Sequence, residues 1–180
     1  MSAAQSRAAA ARLKLMAFDI DGVLTDGRLY YGEDGQEWKA FNTLDGQGLR
    51  FLQQAGIELV IITGRTSGAV AARAANLEIR HLFQGVADKR ACLAALLDRL
   101  KLLPAEAGYM GDDVVDLPVM RLCAFSAAPA NAHPLVRERA LFVTEARGGE
   151  GAAREVSDFI LTAQKKSDRI LKSWLSDEKA

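Results

Sequence analysis

Two stretches of this sequence set acidic residues at spacings that can do chemistry. FDIDGVLTDG at 18–27 places Asp19 and Asp21 on either side of one apolar residue, and GDDVVDLPVM at 111–120 supplies Asp112, Asp113 and Asp116. Both follow short apolar runs, LKLMAF at 13–18 and AGYM at 107–110. Like charges at the ends of buried strands repel, and taking each out of water is costly unless a cation compensates it. Hard oxygen ligands of this kind suit Mg²⁺, which binds through one or two carboxylates, keeps several waters and completes its shell with a phosphate oxygen. Thr63 and Gly64 end another apolar run, IELVIIT at 57–63, and Lys89 opens the helical pattern that follows 78–83. A hydroxyl, an ammonium and backbone N–H groups at Gly22 and Gly64 together suit phosphoryl oxygens. With the charge neutralised, the Asp19 carboxylate can attack phosphorus in line and form an aspartyl phosphate. Asp21, two residues on, faces the same side of an extended chain, where it can protonate the leaving oxygen and then deprotonate the attacking water.

Such residues act together only if the fold brings them together. Apolar runs at 13–18, 57–63, 78–83, 107–110, 122–127 and 140–144 alternate with helical patterns at 44–55, 67–76, 88–102, 116–121 and 151–164. This alternation predicts an α/β fold, a Rossmann-like doubly wound parallel sheet between two helical layers. Ligands of such sheets bind beyond the carboxyl ends of the strands, where these acids fall. Asp45, Ser67 and Asp116 are candidate helix N-caps; for Asp116, with Pro118 in the first turn, a cap and a place in the site both stand. Residues 28–42, RLYYGEDGQEWKAFN, interrupt the pattern with a β-hairpin turning at Glu33, Asp34 and Gly35. An isolated hairpin is marginal in water, so its aromatics, Tyr30, Tyr31, Trp38 and Phe41, are expected to pack on the same hairpin of another subunit, making a homo-oligomer.

The chain of 180 residues, 49% hydrophobic, is read as one domain over 13–164, with a frayed tail at 1–12 and a C-terminal segment at 165–180. In that last segment Ile170, Leu171, Trp174 and Leu175 recur at helical spacing, predicting a helix docked on the core or on a partner. Lys plus Arg and Asp plus Glu are 23 each, so neither a nucleic-acid footprint nor a basic membrane face is implied. No apolar run approaches the roughly 20 residues of a membrane span. Cys92 and Cys123 read as reduced core thiols, which favours the cytoplasm, and His81 and His133 read as structural.

A strand followed by DxDG, a strand ending in Thr63, then Lys89, then GDDxxD, in that order, resemble the haloacid dehalogenase (HAD) superfamily of aspartyl phosphohydrolases. The resemblance implies Asp19 as nucleophile and Asp21 as acid/base, Thr63, Gly64 and Lys89 around the phosphate, and Mg²⁺ on Asp19, Asp112 and the Asp21 carbonyl. Asp113 and Asp116 would orient metal-bound water and Lys89. The gaps from Asp21 to Thr63 and from Thr63 to Lys89 leave no room for a cap domain, the pattern of the capless branch. FNTLDGQGLR, ITGR and GGEGAARE further resemble sugar-acid phosphate phosphatases of that branch. That implies a sugar-acid phosphate substrate contacted by Asn42, Thr43, Leu44, Asp45, Gly46, Arg50, Arg65, Arg73 and Lys89. It also implies a tetramer in which neighbouring subunits close one another's sites, with 147–154 a mobile loop made flexible by Gly148, Gly149 and Gly151. From position alone, Arg50 and Arg73 read by default as solvated helix residues. The implied substrate is the phosphate of an eight-carbon keto sugar acid in lipopolysaccharide synthesis, with a nine-carbon acid phosphate as the alternative. A receiver-like phosphoacceptor switch and a silent structural homologue are the readings from other classes; an acid cluster placed after Lys89 disfavours the receiver.

Overall fold

The structure is a computed structural model and describes residues 3–175. At its centre lies β1 (Leu15–Phe18), flanked by β4 (Glu58–Ile62) and β6 (Ala107–Met110). Phe18 pairs in register with Ile61 on one side and Met110 on the other. With β5 (His81–Phe83), β7 (Phe125–Ala128) and β8 (Phe142–Val143) the sheet runs β5-β4-β1-β6-β7-β8, every pairing parallel. After β1 the chain builds outward through β4 and β5, then returns to lay β6 against the other side of β1. The order therefore reverses at β1, and the crevice for a ligand opens beyond the carboxyl ends of β1, β4 and β6.

Every residue of β1, β6 and β7 is buried, because both faces of the sheet are covered. Such strands read as continuous apolar runs rather than alternating ones, which is why the sequence displays them. Met16 and Phe18 point into a layer built from α1 (Ala3–Ala10), α2 (Thr43–Gln54), α3 (Gly68–Asn76), α7 (Ala152–Ala163) and α8 (Ser167–Leu175). Leu15 and Ala17 point into the opposite layer, with α4 (Lys89–Leu100), α5 (Leu117–Met120) and α6 (Pro134–Arg139).

Several expectations are corrected. The segment read as a frayed tail forms α1, with Ala9 and Ala10 in the core, and Gln164 Nε2 donates to the carbonyls of Ala10 and Leu13 at 3.2 and 2.8 Å. An alanine run carries no amphipathic signature, yet alanine is the strongest helix former and its small side chain allows close docking. Helix α6 was not read from PLVRER, where Val136 is the one buried residue. The N-cap of α2 is Asn42, whose Oδ1 accepts from Leu44 N at 2.8 Å, and not Asp45. Asp116 makes no cap hydrogen bond; Asp113 caps the turn Val114–Asp116 instead. In α8, Ile170 joins the core and the Trp174 ring lies 6.4 Å from that of Phe51, so this helix docks on the chain's own core.

The hairpin pairs β2 (Tyr30–Tyr31) with β3 (Glu37–Trp38), apart from the main sheet. Gly32 and Gln36 close its loop, and Gly35 takes φ +77°, a conformation that favours glycine. Between β1 and β4 the chain holds only this hairpin and α2, and between β4 and β5 only α3, so neither gap carries a cap domain.

Candidate active site

Asp19 follows β1 directly, and its N–H extends the ladder by donating to Met110 O at 3.0 Å. The chain then turns tightly, with the N–H groups of Val23, Leu24 and Thr25 all aimed at Ile20 O. Gly22 sits in the turn at φ +84°; a Cβ there would lie 2.1 Å from Asp112 Oδ2. The glycine of DxDG thus serves two ends, the left-handed turn and the close approach of an acid from β6. Gly111 allows the same close approach on the other side, since a Cβ there would meet the Asp116 carboxyl at 2.5 Å.

Lys89, the first residue of α4, is aimed into the crevice from a helix start that Asp88 caps through Ala91 N at 2.9 Å. Its buried ammonium lies 2.7 Å from Asp19 Oδ2 and 2.7 Å from Asp116 Oδ1. Burial pulls this ammonium down, but the two carboxylates outweigh burial and hold it above its ordinary pKa. Asp116 is fully engaged: Oδ1 also accepts from the Tyr109 hydroxyl at 3.0 Å, and Oδ2 accepts from the N–H groups of Asp112 and Asp113 at 3.1 and 3.3 Å. Asp19 is not. Its Oδ1 is buried with no hydrogen-bond partner. Burial and the nearby Asp116 push the Asp19 carboxyl up to about 6 against the pull of Lys89. Asp112 is pushed up to about 7 by burial and by Asp19, Asp116 and Asp113. Oxygens of Asp19, Asp112 and Asp116 lie within 4.8 Å of one another, and one ammonium does not neutralise three carboxylates. Because Asp116 is saturated with donors, the oxygens free to hold a cation belong to Asp19 and Asp112.

A cleft of 510 Å³ opens over this cluster, with Asp21, Thr63, Gly64 and Arg65 among its walls. Thr63 is buried and accepts from Arg65 N at 3.5 Å. Gly64 lines the cleft beside it, and a Cβ there would meet nothing nearer than Val86 O at 3.7 Å.

Some sequence-derived candidates lie elsewhere. Asn42, Asp45, Gly46 and Arg73 surround a separate tight crevice, where Arg73 donates to Asn42 O at 3.0 Å. Thr43 and Leu44 open α2, and Leu44 is exposed. Arg50 donates to Asn76 O at 2.8 Å and lines a second cavity of 490 Å³ with Glu58 and Arg80, at the amino end of β4. Of the segment 147–154, expected to be a mobile loop, 152–154 open α7 and the part before it is packed against the nucleophile turn: Gly149 N donates to Val23 O at 3.0 Å, and a Cβ at Gly148 would lie 1.8 Å from Gly22 O. Gly148 is required for this close approach.

Three participants were not read from the sequence. The Lys39 side chain, 1% exposed, pairs with Asp21 Oδ1 and lies 3.0 Å from Glu37 Oε1. Glu37 Oε2 pairs with Arg65 Nη2, and that guanidinium also donates to the Tyr31 hydroxyl at 2.9 Å. Burial pulls the Lys39 ammonium down, but Asp21 and Glu37 together leave it above its usual value. Tyr109, buried under Asp116, is the third. Period 2 in EWKAF was the available signal, since it sends Glu37 and Lys39 to one face and Trp38 to the other.

A parallel sheet reversed at β1, with a partly unpaired aspartate at the reversal and a lysine and second acid cluster around it, defines an aspartate-centred hydrolase site. The chain matches the haloacid dehalogenase-like hydrolases over residues 29–123 and belongs to that family, as one of its phosphatases. It is 47% identical over 161 residues to the 3-deoxy-D-manno-octulosonate 8-phosphate phosphatase KdsC of Shigella flexneri, covering 89% of this chain and 86% of the relative. A probable yrbi family phosphatase from Pseudomonas syringae pv. phaseolica 1448a superposes with TM-score 0.96 at 46% identity, over 98% of this chain and 100% of that one. The 3-deoxy-D-manno-octulosonate 8-phosphate phosphatase of Moraxella catarrhalis, solved with magnesium, phosphate and KDO, superposes with TM-score 0.94 at 39% identity, over 96% of this chain and 99% of that one. The receiver-like switch is not the family this chain belongs to.

Proposed function

We propose that the chain hydrolyses 3-deoxy-D-manno-octulosonate 8-phosphate to the free eight-carbon sugar acid and phosphate, in the route to lipopolysaccharide, as a cytoplasmic homotetramer. The reaction rests on one observation: Asp19 is held by Lys89 through Oδ2 while Oδ1 lies buried without a partner beside Asp112. The substrate rests on the likeness to phosphatases of that name. Free Cys92 and Cys123 agree with a reducing compartment, and no helix among the described residues is long and apolar enough to cross a membrane.

The donor set fits Mg²⁺, with Asp19, Asp112 and the Asp21 carbonyl to hold it; bound there, the ion supplies the positive charge that lets anionic oxygens and a phosphate share the crevice. Lys89 and the Thr63 hydroxyl, with the Gly64 N–H, orient the phosphoryl group. An Asp19 oxygen forms the new bond to phosphorus as the bond to the sugar oxygen breaks, and Asp21 gives that oxygen its proton. Asp21 then takes a proton from the water that attacks phosphorus, releasing phosphate and restoring Asp19. Asp116 and Tyr109 keep Lys89 in place, while Asp113 sets the turn that carries Asp116. Arg65, at the cleft wall, is the guanidinium placed to meet the substrate carboxylate. In the same reading Asn42, Thr43, Leu44, Asp45, Gly46, Arg50 and Arg73 contact the substrate, although none of them lines the cleft of this chain.

Steady-state phosphate release tests this directly, with the eight-carbon ester beside a nine-carbon sialic-type acid phosphate, each with Mg²⁺ or with chelator. Preferred turnover of the eight-carbon ester, lost in chelator and lowered on the order of 10³-fold or more in Asp19→Asn with the circular dichroism spectrum retained, is expected. Equal or faster turnover of the nine-carbon ester would remove the substrate assignment, and an unaffected Asp19→Asn would remove the nucleophile.

A further inference from the structure

The hairpin joins the cleft through a side chain outside every motif read from the sequence. Lys39 lies just beyond β3, yet its side chain is buried, with the ammonium held between Glu37 Oε1 and Oδ1 of Asp21, a residue of the cleft wall. Burying a lysine to its tip for packing alone is unfavourable, since its apolar stem can pack but its ammonium prefers water. The hairpin's other tethers, Glu37 and Tyr31, bind Arg65, which meets Asp21 Oδ2 only at 3.8 Å, whereas Lys39 hydrogen-bonds Asp21 itself. The contact to Asp21 therefore adds something those tethers do not. It takes hold of one carboxylate oxygen; Oδ2 meets Arg65 Nε at 3.8 Å, an ion pair beyond hydrogen-bond reach, and is the oxygen left to serve the reaction.

We infer that Lys39 is a positioning residue for phosphoryl transfer: it anchors Asp21 Oδ1 so that Oδ2 stays aimed at the leaving oxygen. The inference rests on the phosphatase reading above. In the step concerned, the bond from phosphorus to the leaving oxygen breaks as the bond from Asp19 to phosphorus forms, and the leaving oxygen takes the proton carried by Asp21. A carboxyl free to swing about its side-chain torsions would meet that oxygen only part of the time, and misplacement by about 1 Å costs on the order of 10²-fold in rate. The need is greatest where the leaving group is a poor one. An alkoxide or a phenolate of low acidity depends on the proton, whereas p-nitrophenolate departs without it.

The test compares wild type, Lys39→Met and Lys39→Arg, with Mg²⁺ at one pH, on aryl phosphates graded from p-nitrophenyl to phenyl and on the eight-carbon sugar-acid phosphate. For Lys39→Met, kcat/KM is expected to fall on the order of 10²-fold with phenyl phosphate and by less than about a tenth of that factor with p-nitrophenyl phosphate, given what general acids contribute. On the sugar-acid phosphate kcat should fall with KM held within about threefold, and Lys39→Arg should recover most of the loss. Equal losses along the aryl series, or kcat and KM moving together, would show that Lys39 merely holds the hairpin and would overturn the inference. Should Lys39→Met lose its circular dichroism spectrum, Lys39→Arg carries the same comparison, with a smaller steepening expected and an unchanged slope refuting it. Aryl phosphates contain no sugar acid, so wild-type turnover of these without the sugar-acid ester would refute the substrate assignment and leave Lys39 separately judged.

Discussion

Asp19 and Asp112 carry opposite demands. Each must be an anion to act, yet burial and their neighbours push Asp19 up to about 6 and Asp112 up to about 7. In the unfolded chain both titrate near 3.8. Between those values the folded chain without metal holds protons that the unfolded chain has released, so these groups favour folding at low pH. Their contribution is full below about pH 4 and is lost as pH rises through about 6 to 7. A divalent cation that binds the ionised pair reverses the trend, because binding to the folded form alone stabilises it and requires the deprotonated ligands. Melting temperatures in chelator are expected to decline from pH 5 to pH 8, and the rise on adding Mg²⁺ is expected to be larger at pH 8. A Mg²⁺ increment equal at both pH values would show that these acids do not hold the ion. The acids themselves were legible because DxDG and GDDxxD stand directly after apolar runs. Lys39 was not, since a lysine on a short hairpin reads as ordinary edge protection until the fold shows it turned inward.

The N-cap of α7 is Gly151, which has no side chain to cap it; Asp45, in α2, supplies the cap from across the layer. Its carboxylate accepts from Gly151 N at 3.3 Å and Arg154 N at 2.9 Å. Asn42 Nδ2 donates to Gly149 O at 3.1 Å, so the start of α2 holds both the loop and the helix behind it. That loop in turn presses Gly148 against the turn carrying Asp21 and Gly22. Asp45→Ala leaves helix N–H groups buried without an acceptor, and a lost cap costs about 1–2 kcal/mol. The expected fall in melting temperature is about 2–8 °C for a chain of this length. A melting curve that does not move would show that Asp45 is dispensable as a cap. The sequence reading assigned Asp45 to the wrong helix for a physical reason: an aspartate near a helix start signals a local cap, while an acceptor for N–H groups more than a hundred residues away leaves no local trace. Most of the other helices were legible from local pattern; α1 escaped because alanines have no polar face, and α6 because one buried valine makes no period.

On the scale of the whole molecule the layers are closed but the hairpin is not. Tyr30 and Trp38, partners across the strands, are 42 and 61% exposed, beside Leu29, on a two-stranded ribbon that water alone would scarcely hold together. Its inner edge is fixed to the cleft by Lys39, Glu37 and Tyr31, which leaves the outer face, with Trp38, pointing away from the chain's own core. Apolar residues gathered in this way mark an interaction surface, and the symmetric packing of one hairpin on another is the simplest cover. In the proposed tetramer that surface joins subunits, and the open side of each cleft faces the neighbour. Trp38→Glu adds a charge to the outer face without touching Asp21, Lys39 or Arg65. Sedimentation velocity should then give a species at four times the 19.4 kDa of one chain for the native sequence and a smaller one for Trp38→Glu. Turnover of the sugar-acid ester should fall as the assembly dissociates, because a neighbour no longer closes the cleft. A native chain sedimenting as a monomer, or a Trp38→Glu variant that remains tetrameric, would place the interface elsewhere and leave the hairpin aromatics to some other contact.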